Sequence, residues 1–198
     1  MVGVSRNKSA KKIGVLALQG AFASHQKVFH KLSVDAVEVR TPTDLEKVDA
    51  LVMPGGESTT MSQLLESSQL FDPIKNRLKD GLPVFGTCAG MILLAKNILD
   101  GRDDQLSFDA IEIDVQRNAY GRQIDSFEAE IDIDSLDQPF HAVFIRAPRI
   151  VSLGSQVQAL AYCGDDVVLA QQDNILVASF HPELANDVRL HELFLKGV

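Results

Sequence analysis

The amino-acid sequence predicts an α/β fold: a three-layer, doubly wound and mostly parallel sheet, with antiparallel additions in the C-terminal half. Two observations support this prediction. Continuous apolar runs, such as residues 13–18 and 50–53, are typical of strands that are buried on both faces. Segments with helical spacing follow these runs across short loops, and such strand–helix alternation produces parallel strands.

The elements are predicted in order along the chain. The N-terminal half contains four apolar runs, each followed by a segment with helical spacing, whereas alternation typical of strands dominates after Asp100. Strands are predicted at 13–18, 36–39, 50–53, 83–85, 111–115, 127–133, 142–145, 157–161, 167–170 and 175–180. Helices are predicted at 22–32, 60–66, 71–79, 89–99 and 187–195, with a short helical turn after Thr41.

Length and composition limit the class of protein. The chain has 198 residues, of which 45% are hydrophobic, and a net charge of −8. These values predict one soluble domain over residues 13–198, after a short disordered tail at 1–12. The negative charge argues against nucleic-acid and membrane partners. Two cysteines are too few for a disulfide scaffold, and a reactive thiol favours a reducing compartment, so we expect a cytoplasmic protein.

A Gly-x-Cys-x-Gly sequence, Gly86 to Gly90, joins an apolar strand to a predicted helix. In a nucleophile elbow the central residue is strained and its neighbours are crowded, so glycines provide clearance. Cys88 would lie at a helix N-terminus, where the partial positive charge favours a thiolate. The N–H of Ala89 would be free to bind an oxyanion. The alternative is a buried structural cysteine in an ordinary turn.

Two further loops follow predicted strands. In His181-Pro182-Glu183, residues i and i+2 lie about 6.6 Å apart on one face, so Glu183 can orient the His181 ring. In Pro54-Gly55-Gly56, the glycines allow backbone N–H groups to turn toward a ligand. Each pattern alone is also typical of a plain turn or a solvated strand end. If the strands are parallel, however, Cys88, His181 and Glu183 converge at one edge as nucleophile, base and orienting carboxylate, with the Gly56 and Ala89 amides as oxyanion hole.

These motifs resemble those of a known family. The segments 54–60, 86–90 and 181–183 are similar to the class I, triad-type glutamine amidotransferases, which have a flavodoxin-like fold. The segments 18–20, 117–123, 125–128 and 144–148 resemble the glutaminase subunits of pyridoxal 5′-phosphate synthases. The resemblance extends from about residue 13 to the C-terminus.

The resemblance implies a reaction and its site. L-Glutamine would be hydrolysed to L-glutamate and ammonia through a thioester on Cys88, and the ammonia would pass to a separate synthase subunit that makes pyridoxal 5′-phosphate. That compound would be a product of the complex, so this chain is expected to need no cofactor and no metal. Gln19 and Gly20 form a loop that could reorient when the partner docks. The residues implied in glutamine binding are Gly56, Glu57, Ser58, Arg117, Ile145 and Arg146.

The sequence leaves two alternative functions open: a cysteine-elbow hydrolase of the same fold, and a non-catalytic partner subunit. The His181 and Glu183 pair favours the amidotransferase over both.

The remaining histidines are predicted to have no catalytic role. His25 and His30 are expected to face solvent or a partner, and His141 and His191 are expected to lie at the surface. Cys163 has no elbow and is expected to be a partly buried thiol.

Overall fold

The computed structural model describes residues 11–117 and 126–198. Their centre is a seven-stranded sheet in the order β10-β11-β12-β4-β3-β1-β2. The five strands from β12 to β2 are parallel, and β10 and β11 add an antiparallel extension. The predicted mostly parallel sheet with antiparallel additions is therefore confirmed. The strands are β1 (Ile13–Leu16), β2 (Ala36–Val39), β3 (Ala50–Met53), β4 (Val84–Thr87), β10 (Gln158–Cys163), β11 (Asp166–Gln172) and β12 (Ile175–Ala178).

Helices cover both faces of this sheet, which gives the three predicted layers. Successive side chains of β3 alternate between two hydrophobic cores, because side chains of a strand point to opposite faces. Leu51 and Met53 join the core beneath α3 and α4, whereas Ala50 and Val52 join the core beneath α1 and α6. The helices are α1 (Phe22–Lys31), α2 (Pro42–Leu45), α3 (Ser58–Ser67), α4 (Phe71–Lys79), α5 (Ala89–Leu94) and α6 (Arg189–Lys196).

Smaller sheets flank the central one. One contains β5 (Ala95–Ile98), β6 (Ile111–Gln116) and β9 (Arg149–Leu153), and the other pairs β7 (Ser126–Ile131) with β8 (Phe140–Ile145). Most of these strands lie where alternation predicted them, but β5 and β9 were not predicted.

The helix predicted at 89–99 is wrong in its second half, because α5 ends at Leu94 and the chain continues as β5. The last carbonyls of α5 bind neighbouring backbone: Leu93 O accepts from Phe108 N at 2.7 Å, and Leu94 O accepts from Ala110 N at 2.9 Å. β5 then pairs in parallel with β6. Helical propensity continues past Leu94, but pairing with a segment distant in sequence replaces the helix.

The carboxyl ends of β1, β3, β4 and β12 lie at one edge of the parallel sheet, as the register of these strands requires. The loops after these strands carry the predicted site residues Gln19, Gly56, Cys88 and His181. Parallel sheets bind ligands at this edge.

Two of the sequence-based predictions fall wholly or partly outside the described residues. These are the tail, of which residues 1–10 are not described, and the motif at 117–123 with 125–128, of which residues 118–125 are not described. Lys12 is described, and its backbone is hydrogen-bonded to Asp49. No helix in the described ranges is long and apolar enough to cross a membrane.

Candidate active site

Cys88 lies at a strained turn between β4 and α5. Its φ of 50° and ψ of −104° place a non-glycine residue where side chains are rarely tolerated. The turn is tight enough to exclude side chains on either side. A Cβ at Gly90 would lie 2.0 Å from the carbonyl oxygen of Met53, and one at Gly86 would lie 2.9 Å from the Gly90 backbone. The two glycines are therefore required for close packing of the turn on β3 and β4.

The Cys88 side chain is only 6% exposed. Its backbone N–H donates to Ala178 O of β12 at 2.8 Å, which fixes the elbow against the strand that leads to His181. The Sγ atom lies 4.0 Å from Ile145 O, at the end of β8. Ala89 is the first residue of α5, and the first N–H groups of a helix have no acceptor within it.

His181 and Glu183 form a hydrogen-bonded pair next to Cys88. His181 Nδ1 donates to Glu183 Oε1 at 2.7 Å, and both residues are more than 90% buried. Since the Nδ1 atom is occupied, the Nε2 atom is left for the Cys88 thiol, which lines the same cleft as His181. The His181 N–H donates to Val143 O at 2.8 Å, so β8 holds the segment beyond the end of β12.

The environment of His181 favours the charged ring. Burial by itself lowers the pKa of His181, but hydrogen bonds and negative charge from Cys88 and Glu183 outweigh it and raise the pKa to about 10. Burial would raise the pKa of Glu183, yet His25 and His181 hold it below its ordinary value. An imidazolium between a carboxylate and a sulfur is the arrangement that stabilises a thiolate nucleophile.

Two glycine-containing loops pack together beside the triad. The Gly55 carbonyl accepts from Ala21 N at 3.0 Å, and Gln19 Oε1 accepts from Glu57 N at 3.0 Å. A Cβ at Gly20, which has a φ of 92°, would lie 1.9 Å from Gly55 O. A change in the loop of Gln19 and Gly20 would therefore be transmitted directly to the backbone around Gly56, the predicted oxyanion donor.

A cleft of about 400 Å³ opens at this edge of the sheet. Its lining includes every residue that the family resemblance implied in glutamine binding, together with Cys88 and His181. It also includes Ile92, which was not predicted. The residues that line the cleft are Gln19, Gly56, Glu57, Ser58, Cys88, Ile92, Arg117, Ile145, Arg146 and His181.

The two arginines of the cleft differ in how far they are already bound. Arg117 donates from Nη1 to Thr59 Oγ1 at 2.9 Å and to Gln105 Oε1 at 2.8 Å, and from Nη2 to Asp100 O at 2.7 Å. Arg146 is exposed and has a φ of 42°. The guanidinium of Arg146 is therefore more available to a ligand than that of Arg117.

Glu57 also has a structural role in this arrangement. Its carboxylate caps α3 by accepting from Thr59 N at 3.0 Å and from Thr60 N at 2.7 Å. Burial raises the pKa of Glu57, but a hydrogen bond from the Thr60 hydroxyl at 2.6 Å and the two backbone hydrogen bonds outweigh it and hold the pKa below its ordinary value. A fixed, ionised carboxylate at the cleft can accept from a ligand ammonium.

Sequence reasoning missed the residues behind the triad. His25 and His191, expected at the surface, are both fully buried, so that expectation was wrong. Both lie on amphipathic helices, where a single histidine gives no signal of which face it occupies. His30 and His141 are exposed as predicted, and Cys163 is a free, partly buried thiol.

Comparisons with known proteins identify the family of this chain. The model of the SNO glutamine amidotransferase family matches residues 15–198. The chain is 51% identical over 187 residues to pyridoxal 5'-phosphate synthase subunit PdxT of Thermosipho africanus, covering 94% of this chain and 98% of the relative. It is 54% identical, with the same coverage, to the subunit of that name from Desulforamulus reducens.

A solved structure described as a glutamine amidotransferase superposes with a TM-score of 0.89. It is 46% identical in sequence, and the match covers 93% of this chain and 97% of that chain. A glutamine amidotransferase from Thermotoga maritima, at 15% identity and a TM-score of 0.61, shares the fold over 94% of this chain and 83% of its own. With a family model that spans nearly the whole described fold, and relatives at about half identity, this chain belongs to the SNO glutamine amidotransferase family.

Proposed function

We propose that this chain is the glutaminase subunit of a pyridoxal 5′-phosphate synthase, and that it hydrolyses L-glutamine to L-glutamate and ammonia at Cys88. The single observation that carries the proposal is that Cys88 and His181 line one cleft and that His181 is hydrogen-bonded at 2.7 Å to the buried Glu183 behind it. Family membership and the names of the relatives supply the substrate and the complex.

The first half of the reaction forms a thioester. The Cys88 thiolate attacks the side-chain carbonyl carbon of glutamine, and the N–H groups of Ala89 and Gly56 bind the resulting oxyanion. The His181 imidazolium gives its proton to the amide nitrogen, the C–N bond breaks and ammonia leaves. The products of this half are a γ-glutamyl thioester and a neutral His181.

The second half uses the same groups in reverse. Neutral His181 takes a proton from a water molecule, whose oxygen attacks the thioester carbonyl carbon. The C–S bond breaks, glutamate leaves, and the thiolate and imidazolium are restored. Glu183 keeps the proton of His181 Nδ1 in place throughout, so the Nε2 atom carries out both transfers.

The charged ends of glutamine match the charges of the cleft. Arg146 is exposed, so we propose that it binds the α-carboxylate of glutamine. Arg117 is already hydrogen-bonded within the protein and forms part of the cleft wall. The fixed carboxylate of Glu57 is suited to the α-ammonium. Ser58 and Ile145 complete the lining around the substrate chain.

The proposed partner is the synthase subunit that consumes the ammonia. We expect low glutaminase activity without it, because the Gln19 and Gly20 loop contacts the backbone around Gly56 and its position can depend on docking. Pyridoxal 5′-phosphate is then the product of the complex, and this chain supplies no cofactor. A reducing compartment, the cytoplasm, keeps Cys88 as a thiol.

The test is a glutaminase assay on wild-type protein and on Cys88→Ala, each with and without the synthase subunit. Cys88→Ala is expected to release no ammonia, whereas Cys163→Ala, a matched change at the other cysteine, is expected to keep wild-type turnover. Treatment with a glutamine-like electrophile, followed by mass spectrometry, should place the adduct on Cys88.

Each alternative has its own outcome. Wild-type protein that releases no ammonia with its partner present would indicate a non-catalytic subunit. Labelling of Cys88 without glutamine turnover would indicate a cysteine-elbow hydrolase for another substrate. Turnover in Cys88→Ala would contradict the assignment of the nucleophile.

A further inference from the structure

A second, fully buried pair of histidines lies behind the triad. His25 of α1 places its Nε2 atom 3.4 Å from Glu183 Oε2 and 3.2 Å from Thr87 Oγ1. Its Nδ1 atom lies 2.9 Å from Nε2 of His191 on α6. Glu183 thus lies between two imidazoles, with Oε1 facing His181 and Oε2 facing His25.

The protonation of this pair follows from two atoms that have no hydrogen-bond partner among the described residues. These atoms are Glu183 Oε2 and His191 Nδ1. Burial lowers the pKa of both His25 and His191, so each ring is neutral and carries one proton. If His25 Nδ1 donated to His191, an N–H of His191 would be buried without an acceptor, and a bare nitrogen of His25 would face the Glu183 carboxylate.

The opposite tautomer avoids both costs. His191 Nε2–H then donates to His25 Nδ1, and His191 Nδ1 is a bare lone pair, which is cheaper to bury than a charged or donating group. The proton of His25 is on Nε2, between the two oxygens of Glu183 and Thr87. An ionised carboxylate oxygen without a partner is expensive in the interior, and this N–H is placed to reach it.

We propose that His25 is a positioning residue of this site: its Nε2–H, 3.4 Å from the otherwise unpartnered Glu183 Oε2, attracts the carboxylate and holds it so that Oε1 orients His181. His191 fixes the tautomer of His25 from the opposite side. This inference rests on the proposed function in that it takes Cys88, His181 and Glu183 as the working triad.

The charges around His25 agree with this role. The titratable groups that face it are Glu183 and His181, from the segment after β12, and His191 of α6. Phe85 approaches it with an edge contact at 6.3 Å and adds no charge. The Nε2–H of a neutral His25 lies 3.4 Å from Glu183 Oε2 and favours the ionised form of that carboxylate. Loss of the donor should therefore make Glu183 easier to protonate.

The test compares two amide substitutions at one position. In His25→Gln the side-chain nitrogen reaches about as far as Nε2 and can still donate to Glu183. In His25→Asn the amide reaches only the Nδ1 position, so its oxygen can accept from His191 Nε2–H but its nitrogen cannot reach Glu183. Both variants keep a polar, hydrogen-bonding group in the same buried place, which separates the contact to Glu183 from general packing.

We expect His25→Asn to lower kcat about tenfold or more while KM stays within about twofold of wild type. His25→Gln should keep most of the wild-type kcat. Carbon-13 NMR of glutamate Cδ, assigned with Glu183→Gln, should show the midpoint of Glu183 titration at a higher pH in His25→Asn than in wild type. Equal losses of kcat in both variants, or an unchanged midpoint, would overturn the proposal.

A second measurement needs no variant. Nitrogen-15 NMR of the wild-type protein should find the protons of His25 and His191 on Nε2, and a proton on Nδ1 of His25 would also overturn the proposal. Both NMR measurements are independent of glutamine. A wild-type protein without glutaminase activity would therefore refute the proposed function, and the role of His25 would still be decided.

Discussion

Substitution of Gly55 tests how closely the loop after β3 controls His181. A Cβ at this position would lie 2.3 Å from His181 Cε1 and 2.9 Å from His181 Nδ1. Ordinary contacts between such atoms begin near 3.4 Å. The imidazole or the loop must therefore move by about 1 Å, the difference between these two distances. Because His181 is buried and bound to Glu183 at 2.7 Å, the movement cannot be absorbed by solvent.

The expected cost of Gly55→Ala is about 100-fold in turnover, since a misplacement of about 1 Å in a catalytic group can cost that much. This corresponds to about 2.7 kcal/mol in the activation barrier. Ammonia release would be measured in the presence of the synthase subunit, with kcat and KM determined separately. Thermal unfolding of the same samples would show that the fold is retained.

The matched control is Gly197→Ala, where a Cβ would lie 3.5 Å from Phe194 O in an ordinary contact. This variant should keep wild-type turnover. Turnover of Gly55→Ala within about threefold of wild type would refute the reasoning, because the loop would then not constrain His181. An equal loss of turnover in Gly197→Ala would also refute the reasoning. That glycine lies at the C-terminus of α6, so the loss could not be attributed to the loop after β3.

Three further predictions follow from the described contacts. Gly90→Ala brings a Cβ to 2.0 Å from Met53 O, so the unfolding free energy should fall by about 1–3 kcal/mol or more in denaturant titration, and an unchanged midpoint would contradict the crowding of the elbow. Arg146→Ala should raise KM for glutamine by about tenfold or more at nearly constant kcat, and an unchanged KM would place the α-carboxylate elsewhere. The pKa of His181 rises from 6.5 to about 10 on folding, so its stabilisation is fully present below pH 6.5 and is lost as the pH rises through about 10. Unfolding free energy should therefore decrease more steeply over this range in wild type than in His181→Asn, and equal slopes would refute the raised pKa.

The parallel sheet was predictable because its signal is local. Apolar runs at β1 and β3 and the helical spacing of α4 lie within single segments, and the structure confirms them. The end of α5 was not predictable, since it depends on hydrogen bonds from Phe108 and Ala110 to the last turn of the helix. Pairing partners distant in sequence leave no mark on the helix itself.

The residues of the candidate site also separate into those that a local sequence pattern predicts and those that only tertiary contacts reveal. Glycines around Cys88 and the spacing of His181 and Glu183 are short patterns with a local geometric cause, so the sequence alone determined which residues could form a triad. Once the strands are parallel, their carboxyl ends must share an edge.

Only the tertiary structure decided what lies behind and around that triad. His25 and His191 come from opposite ends of the chain, and their burial depends on which faces of α1 and α6 pack against the sheet. The difference between the bound Arg117 and the exposed Arg146 likewise depends on contacts with Asp100 and Gln105. A sequence determines which chemical groups are present, but burial and charge at a given atom are set by neighbours that only folding brings together.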